Sequence, residues 1–130
     1  MTKERIALGR FGEDLARKQL KECGYRILTT NYRCPLGEID VIARDGDVLV
    51  FVEIKTRKNK SLSLVKEAVT VRKQRQISKV ALAYMKSHNL WEGKSHNLWE
   101  GKARFDVVAV GLLDGKKEIE IIKNAFELAY

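Results

Sequence analysis

Carboxylates and one lysine recur at alternate positions in two neighbouring segments, Gly37-Glu38-Ile39-Asp40 and Phe51-Val52-Glu53-Ile54-Lys55-Thr56-Arg57. The dipeptide Asp45-Gly46 between them favours a two-residue hairpin turn and is flanked by short apolar runs, so the pattern predicts two paired antiparallel strands. Because side chains alternate along a strand, one face collects the polar groups. These are Glu38, Asp40, Glu53 and Lys55, together with Phe51. The end of this face therefore gathers three carboxylates and one ammonium group.

The Asp45-Gly46 turn also predicts how the two strands pair. If these are the two loop residues, Arg44 pairs with Asp47 and Asp40 pairs with Phe51. The face opposite the carboxylates is then entirely apolar. It carries Ile39, Val41, Val48, Val50, Val52 and Ile54.

Two interpretations of the carboxylate cluster compete: a charged, solvent-exposed hairpin face, and a metal site. The same face carries Ile42, Leu49 and Phe51, which need a cover, so the charges lie beside buried surface. Like charges at a partly buried place raise carboxylate pKa values and cost stability unless a cation compensates. The pattern therefore favours a metal site.

The composition fits one globular domain over residues 1–130, since 45% of the residues are hydrophobic. A net charge of +8 suits a polyanionic partner such as DNA or RNA, although basic proteins also bind anionic membranes. No apolar run approaches the roughly 20 residues of a membrane span, and the N-terminus lacks a signal-peptide core. We therefore expect a cytoplasmic protein with no membrane partner.

The predicted element order is helix, strand, hairpin, helix, strand, strand. The first helix runs from about Lys3 to Glu22, with a core stripe of Ala7 or Leu8, Phe11, Leu15 and Leu20. Glu13 lies on the flank of that stripe. Two interpretations are open, a carboxylate with a functional role and a boundary residue that pairs with Arg10 or Arg17. The other predicted elements are strand Tyr25–Tyr32, hairpin Glu38–Thr56, loop Asn59–Val65, a helix from the Thr70 cap to Met85, and strands Arg104–Val110 and Glu118–Lys123, the last after an Asp114-Gly115 turn.

The second helix has an inward and an outward side. Gln74, Ile77, Ala81 and Tyr84 recur at helical spacing, which places Gln74 toward the sheet. The basic residues face elsewhere and could hold phosphates, although a basic helix face is often simply solvated. They are Arg72, Lys73, Arg75 and Lys79.

An octapeptide, Lys86 to Gly93, is repeated without change as Lys94 to Gly101. An identical tandem copy in an otherwise non-repetitive chain indicates a recent duplication or a cloning event rather than a functional repeat array, which needs longer units. His88 and His96 therefore owe their pairing to copying, and we assign no metal to them.

Five segments of the chain resemble the bacterial YraN family of predicted endonucleases, and the resemblance covers nearly the whole chain except the duplicated octapeptide. They are Gly9 to Glu13, Gly37 to Asp40, Val52 to Arg57, Glu67 to Thr70, and Arg104 to Val110. That family is similar to the archaeal Holliday junction resolvases of the PD-(D/E)xK nuclease superfamily. Ile39 stands where the superfamily name has proline.

The resemblance implies an α/β fold with a restriction-endonuclease-like core, a mixed central sheet flanked by helices. It implies that Asp40, Glu53 and Lys55 form the catalytic motif and that Glu13 is a helix-borne acid. Asp40, Glu53 and Glu13 would bind Mg²⁺ or Mn²⁺, with Glu38 and Gln74 in support. Contacts to DNA would fall on Arg57, Arg72, Lys73, Arg75 and Lys79.

The predicted function is thus a metal-dependent endonuclease acting on branched or otherwise structured DNA. A nucleic-acid-binding protein that kept the fold without turnover is the alternative, and a protein-interaction module is a third. The extra octapeptide alters the surface by which a relative would assemble. The sequence therefore does not decide whether the protein forms a homodimer.

Overall fold

The computed structural model describes residues 2–59, 62, 69–88 and 103–128. Its elements follow the predicted order, which is confirmed. They are α1 (Lys3–Glu22), β1 (Arg26–Cys34), β2 (Gly37–Asp45), β3 (Val48–Lys58), α2 (Val71–Ser87), β4 (Ala103–Leu113) and β5 (Lys116–Phe126). Of the predicted loop 59–65 only Asn59 and Leu62 are described, and residues 67, 68 and 89–101 also lie outside the described part.

The strands form one five-stranded sheet in the order β1-β2-β3-β4-β5. Neighbours are antiparallel except β3 and β4, which are parallel and are joined through the crossover that contains α2. The helices cover opposite faces, because Ala16 of α1 packs with Val50 and Val52, whereas Ile77 of α2 packs with Phe51. The predicted α/β class, a mixed sheet flanked by helices, is confirmed.

Helix α1 begins at the Thr2 cap, whose hydroxyl accepts a hydrogen bond from the Arg5 amide. Its buried face is made of Gly12, Ala16 and Leu20. Phe11, which we predicted in the core, is 39% exposed, so that prediction is wrong. The small residues let the helix lie close to β3, and an aromatic side chain has no room in that contact.

Helix α2 begins at the predicted Thr70 cap, whose hydroxyl accepts from the Lys73 amide. Ile77, Ala81 and Tyr84 are buried, as their spacing predicted. The helix ends at Ser87, inside the first octapeptide copy, with His88 as its C-cap. None of the described helices is long and apolar enough to cross a membrane.

The β2–β3 hairpin differs from its predicted register. Asp45 pairs with Val48 and Ile42 with Phe51, so the loop is Gly46-Asp47 rather than Asp45-Gly46. Gly46 has a φ of +63° and Asp47 does not have a positive φ, which fits a turn that takes Gly at its first central position. The predicted pairs Arg44 with Asp47 and Asp40 with Phe51 are therefore wrong. The shift spans two residues, so most side chains keep their predicted face.

Ile39 is the exception to the predicted faces. It packs in the α2-side core with Ile42 and Phe51, whereas Val41 packs in the α1-side core. Because β2 pairs with β3 only from Val41 onward, the start of β2 is hydrogen-bonded to β1 alone and its pleat is less constrained. The strict alternation that placed Ile39 opposite Ile42 fails at this point. The prediction that Asp40 shares a face with Phe51 and Lys55 is wrong for the same reason, because Asp40 lies beside Ile54 and Thr56 on the α1 side.

A buried polar network locks the end of the sheet that holds the hairpin turn. The carboxylate of Asp106, which is fully buried, accepts from the Tyr25 hydroxyl at 2.6 Å, from Arg104 Nε at 2.9 Å and from the Asn124 amide at 3.0 Å. Arg104 also donates to Asp45 at 2.6 Å. A buried carboxylate with this many donors ties β2, β4 and β5 and the residue before β1 together at one end.

Candidate active site

Strands β2 and β3 separate at a fork, and two carboxylates lie where they part. Their pairing runs from Asp45 and Val48 to Val41 and Val52, and Asp40 and Glu53 are the next residue on each strand. Beyond the fork, β3 stays paired with β4 through Lys58. Instead of a ladder bond, the Ile54 amide donates to Asp40 Oδ2 at 2.7 Å. The main-chain pairing of β2 with β3 thus ends where the two carboxylates lie.

The two carboxylates of the fork interact strongly. Glu53 is only 5% exposed. Burial, followed by the charge of Glu53 and a hydrogen bond to it, raises the pKa of Asp40 from about 3.8 to about 8, although the Ile54 amide acts in the opposite direction. Two partly desolvated carboxylates in contact cost stability, and a bound cation would relieve that cost.

Two lysines reach Glu53 from different elements. Lys55 Nζ lies 3.6 Å from Glu53 Oε2, and Lys73 Nζ of α2 lies 3.7 Å from the same oxygen. Lys55 was predicted here. Lys73 was predicted only as a nucleic-acid contact, and its approach to Glu53 depends on the packing of α2 on the sheet, which no local spacing in the sequence reveals.

Glu13 and Asp40 line a cavity of about 550 Å³ on the α1 side of the fork. Burial is the main cause that raises the pKa of Glu13, and the charge of Asp40 is the second. Arg17, whose Nη1 lies 3.9 Å from Glu13 Oε2, lowers this pKa. The alternative of a boundary Glu that pairs with Arg17 is thus also present in the structure. The cationic residues on the walls of this α1-side cavity are Arg5, Arg57 and Lys58.

A second cavity, of about 820 Å³, lies on the α2 side of the fork. Lys55 is on its wall, and so are all four basic residues predicted on α2, namely Arg72, Lys73, Arg75 and Lys79. Pro35, Leu36, Val71 and Gln76 complete this α2-side cavity together with Thr70. No pattern in the sequence indicates the apolar residues, because they come from a turn and a helix start far apart in the chain.

The two supporting residues lie away from the carboxylates of the fork. Glu38 Oε1 is 3.4 Å from Arg33 Nε, and the charge of Glu38 contributes to the raised pKa values of Asp40 and Glu13. Gln74 is half-buried and donates to the carbonyl of Val69 at 3.1 Å, so its amide holds the start of α2.

The donor set fits a hard divalent cation such as Mg²⁺ or Mn²⁺. Within the described residues, no three Asp, Glu, His or Cys side chains form a ready-made metal cluster, so Glu13 is not gathered with Asp40 and Glu53. Mg²⁺, however, commonly binds through one or two carboxylates and completes its shell with water and substrate phosphate. Asp40 and Glu53 supply that minimum.

The fork thus places a carboxylate pair and a lysine on the mixed sheet of an α/β protein. The chain belongs to the UPF0102 family, since the model of "Uncharacterised protein family UPF0102" matches residues 12–110. This confirms the resemblance to the YraN family.

Named relatives support the same membership. A UPF0102 protein of Syntrophus aciditrophicus is 50% identical over 98% of this chain and 94% of its own length. One of Geobacter sulfurreducens is 48% identical over 95% of this chain and 91% of its own.

Among solved structures, Pyrococcus furiosus SfsA in complex with Ca²⁺ aligns with 92% of this chain and 62% of its own, at 15% identity and a TM-score of 0.37.

Proposed function

We propose that this protein is a metal-dependent endonuclease that hydrolyses phosphodiester bonds of DNA, acting on branched or otherwise structured DNA. The observation that carries the proposal is the fork, where Asp40 and Glu53 meet and Lys55 lies 3.6 Å from Glu53. Cationic walls on both sides of these carboxylates would attract a polyanion.

Phosphodiester hydrolysis forms a bond from a water oxygen to phosphorus and breaks the bond to the leaving oxygen. Asp40 and Glu53 would hold Mg²⁺ or Mn²⁺, which supplies positive charge to a nonbridging oxygen and acidifies water. Lys55 is placed to stabilise the negative charge that develops on the phosphoryl oxygens. Glu13 lies across the α1-side cavity from Asp40. Its carboxylate would orient the attacking water by accepting a hydrogen bond from it. Arg57 would hold the DNA backbone on that side.

Substitutions at the fork test the chemistry. Glu53→Gln should reduce cleavage to background, because the ligand charge is lost, and Lys55→Ala should reduce it about 10²- to 10³-fold. Cleavage of flapped and four-way DNA is measured with Mg²⁺ or Mn²⁺ and with EDTA, using Lys18→Ala as a control that removes an exposed lysine. DNA binding without metal-dependent cleavage in the wild type would favour the non-catalytic alternative.

The basic face of α2 should appear in the salt dependence of binding. The logarithm of the affinity falls linearly with the logarithm of the salt concentration, and each phosphate contact that is lost makes this slope less steep by about 0.9. Replacing Arg72, Arg75 and Lys79 with alanine should therefore flatten the slope by up to about 2.7. Lys73 is kept, because it contacts Glu53. Binding of a fluorescent flapped duplex is titrated in EDTA at several salt concentrations.

The matched control for this titration removes the same charge from exposed positions elsewhere, at Lys18, Lys21 and Lys116. If both triple variants change the slope equally, the basic face of α2 acts only through net charge and is not a DNA contact.

A further inference from the structure

The α2-side cavity carries an apolar patch that the proposed hydrolysis does not use. Val71 and Leu36 are 58% and 51% exposed, which makes them the two most exposed large apolar side chains of the described residues. Both line the same cavity, and Pro35 lies beside them. Exposed apolar side chains that converge in this way mark an interaction site.

The backbone holds this patch in place. Leu36 is at the tip of the tight turn between β1 and β2, where Cys34 pairs with Gly37. Gly37 has a φ of +145°, and a Cβ there would lie 2.9 Å from Gln76 Nε2, so the turn rests directly against α2. Val71 is the first residue of α2, which the Thr70 cap fixes. The patch is therefore preorganised.

The charge around the patch narrows the choice of occupant. The described residues that line the cavity include Arg72, Arg75, Lys79 and Lys55 but no acidic residue. A ligand that fits this lining combines negative charge with an apolar surface, as a nucleotide does. Lys55 lies on this wall and also contacts Glu53, so the cavity opens next to the carboxylates of the fork.

We infer that Leu36, Val71 and Pro35 form a wedge against the face of a base unstacked from DNA beside the scissile phosphodiester, while Arg72, Arg75 and Lys79 hold the flanking phosphates. Leu and Pro side chains are among those that insert between base steps and unstack them. Unstacking costs least where the base is mismatched or already unpaired. The inference rests on the proposed function and narrows its substrate class to DNA with an unpaired base at the cleavage position.

The test uses the double variant Leu36→Ser, Val71→Ser and DNA that carries the fluorescent base 2-aminopurine, either beside a flap or inside a perfect duplex, in EDTA. The wild type should bind the flapped DNA more tightly and increase its fluorescence. The double variant should lose that increase and about tenfold in affinity for the flap, while its duplex affinity stays within about twofold. Ile6→Ser, Leu128→Ser is the matched control for exposed apolar residues.

The outcomes separate this inference from the proposed function. If the wild type cleaves flapped DNA but the double variant keeps the fluorescence increase and the preference, the wedge is wrong and the nuclease stands. An equal loss on flap and duplex also overturns the wedge. No DNA binding by the wild type, or binding to anionic phospholipid vesicles instead, overturns both proposals. Leu36→Ser alone repeats the test without a change in α2.

Discussion

Asp40→Asn should abolish metal-dependent cleavage and at the same time stabilise the metal-free protein at pH 8. The substitution removes a ligand charge that the proposed chemistry needs. It also removes the repulsion from Glu53, while an amide oxygen can still accept the hydrogen bond that the Ile54 amide donates to Asp40. Loss of activity combined with a gain of stability would distinguish a functional carboxylate from a structural one.

The pH dependence of this gain follows from the raised pKa of Asp40. Its ordinary value is 3.8 and its value in the fold is about 8, so between these pH values the folded protein holds a proton that the unfolded chain releases. Stability of the wild type therefore falls as pH rises through this window. Each pKa unit corresponds to about 1.4 kcal/mol of stability. Even if only half of the shift is realised, the wild type should lose about 3 kcal/mol of stability by pH 8.

Thermal unfolding in EDTA at pH 5 and pH 8 measures the effect. The difference between Asp40→Asn and the wild type should grow from pH 5 to pH 8. Asp114→Asn is the control, because Asp114 is an exposed turn residue with a φ of +52° that Asn tolerates. A variant that is less stable than the wild type at pH 8 would mean that the Asp40 carboxylate stabilises the fold and that the fork is not a strained site.

Gly12→Ala should cost about 2–3 kcal/mol of stability and most of the cleavage activity. A Cβ at Gly12 would lie 2.7 Å from Thr56 Cβ and would collide with the Thr56 hydroxyl as well. Neither partner is the free end of a flexible side chain, so α1 must move away from β3. Glu13 is the next residue and would move with it, away from Asp40.

Gly9→Ala provides the matched comparison, since Gly9 lies three residues earlier on the same helix. A Cβ there meets nothing within 4 Å. Alanine should therefore stabilise the helix by about 0.5–1 kcal/mol. Chemical denaturation of both variants measures the change in the free energy of unfolding, which we expect to have opposite signs. Equal changes would show that helix propensity, rather than the contact with Thr56, determines the effect at Gly12.

The two Asp-Gly dipeptides of the chain explain what could be predicted from the sequence. Asp114-Gly115 forms a two-residue turn with positive φ at both residues, as predicted. Asp45-Gly46 does not, because the Asp45 carboxylate accepts from Arg104 and Lys123, and Asp45 itself pairs with Val48 inside the hairpin. The difference lies in partners about 60 and 80 residues away in the chain, which a local turn rule cannot include.

The candidate site was predictable to the same extent. Glu53 and Lys55 could be grouped from strand alternation, since a two-residue register shift preserves the faces of β3. Asp40 meets Glu53 at the fork for a different reason, because the alternation fails at its neighbour Ile39 and Asp40 lies on the α1 side. The second lysine on Glu53, the division of the site into two cavities and the position of Ile39 depend on where the helices pack and where β2 leaves β3. Those features arise from tertiary contacts rather than from spacing.

The parallel pairing of β3 and β4 has a consequence for how this gene can change. The connection from α2 enters β4 at Ala103, which pairs with Leu49. That position lies on the hairpin-turn side of Glu53, four residues along β3, so β4 begins roughly 13 Å of strand from the acidic pair. We therefore expect a change in the length of this connection to act on the hairpin-turn end of the sheet and to leave the residues of the fork in place.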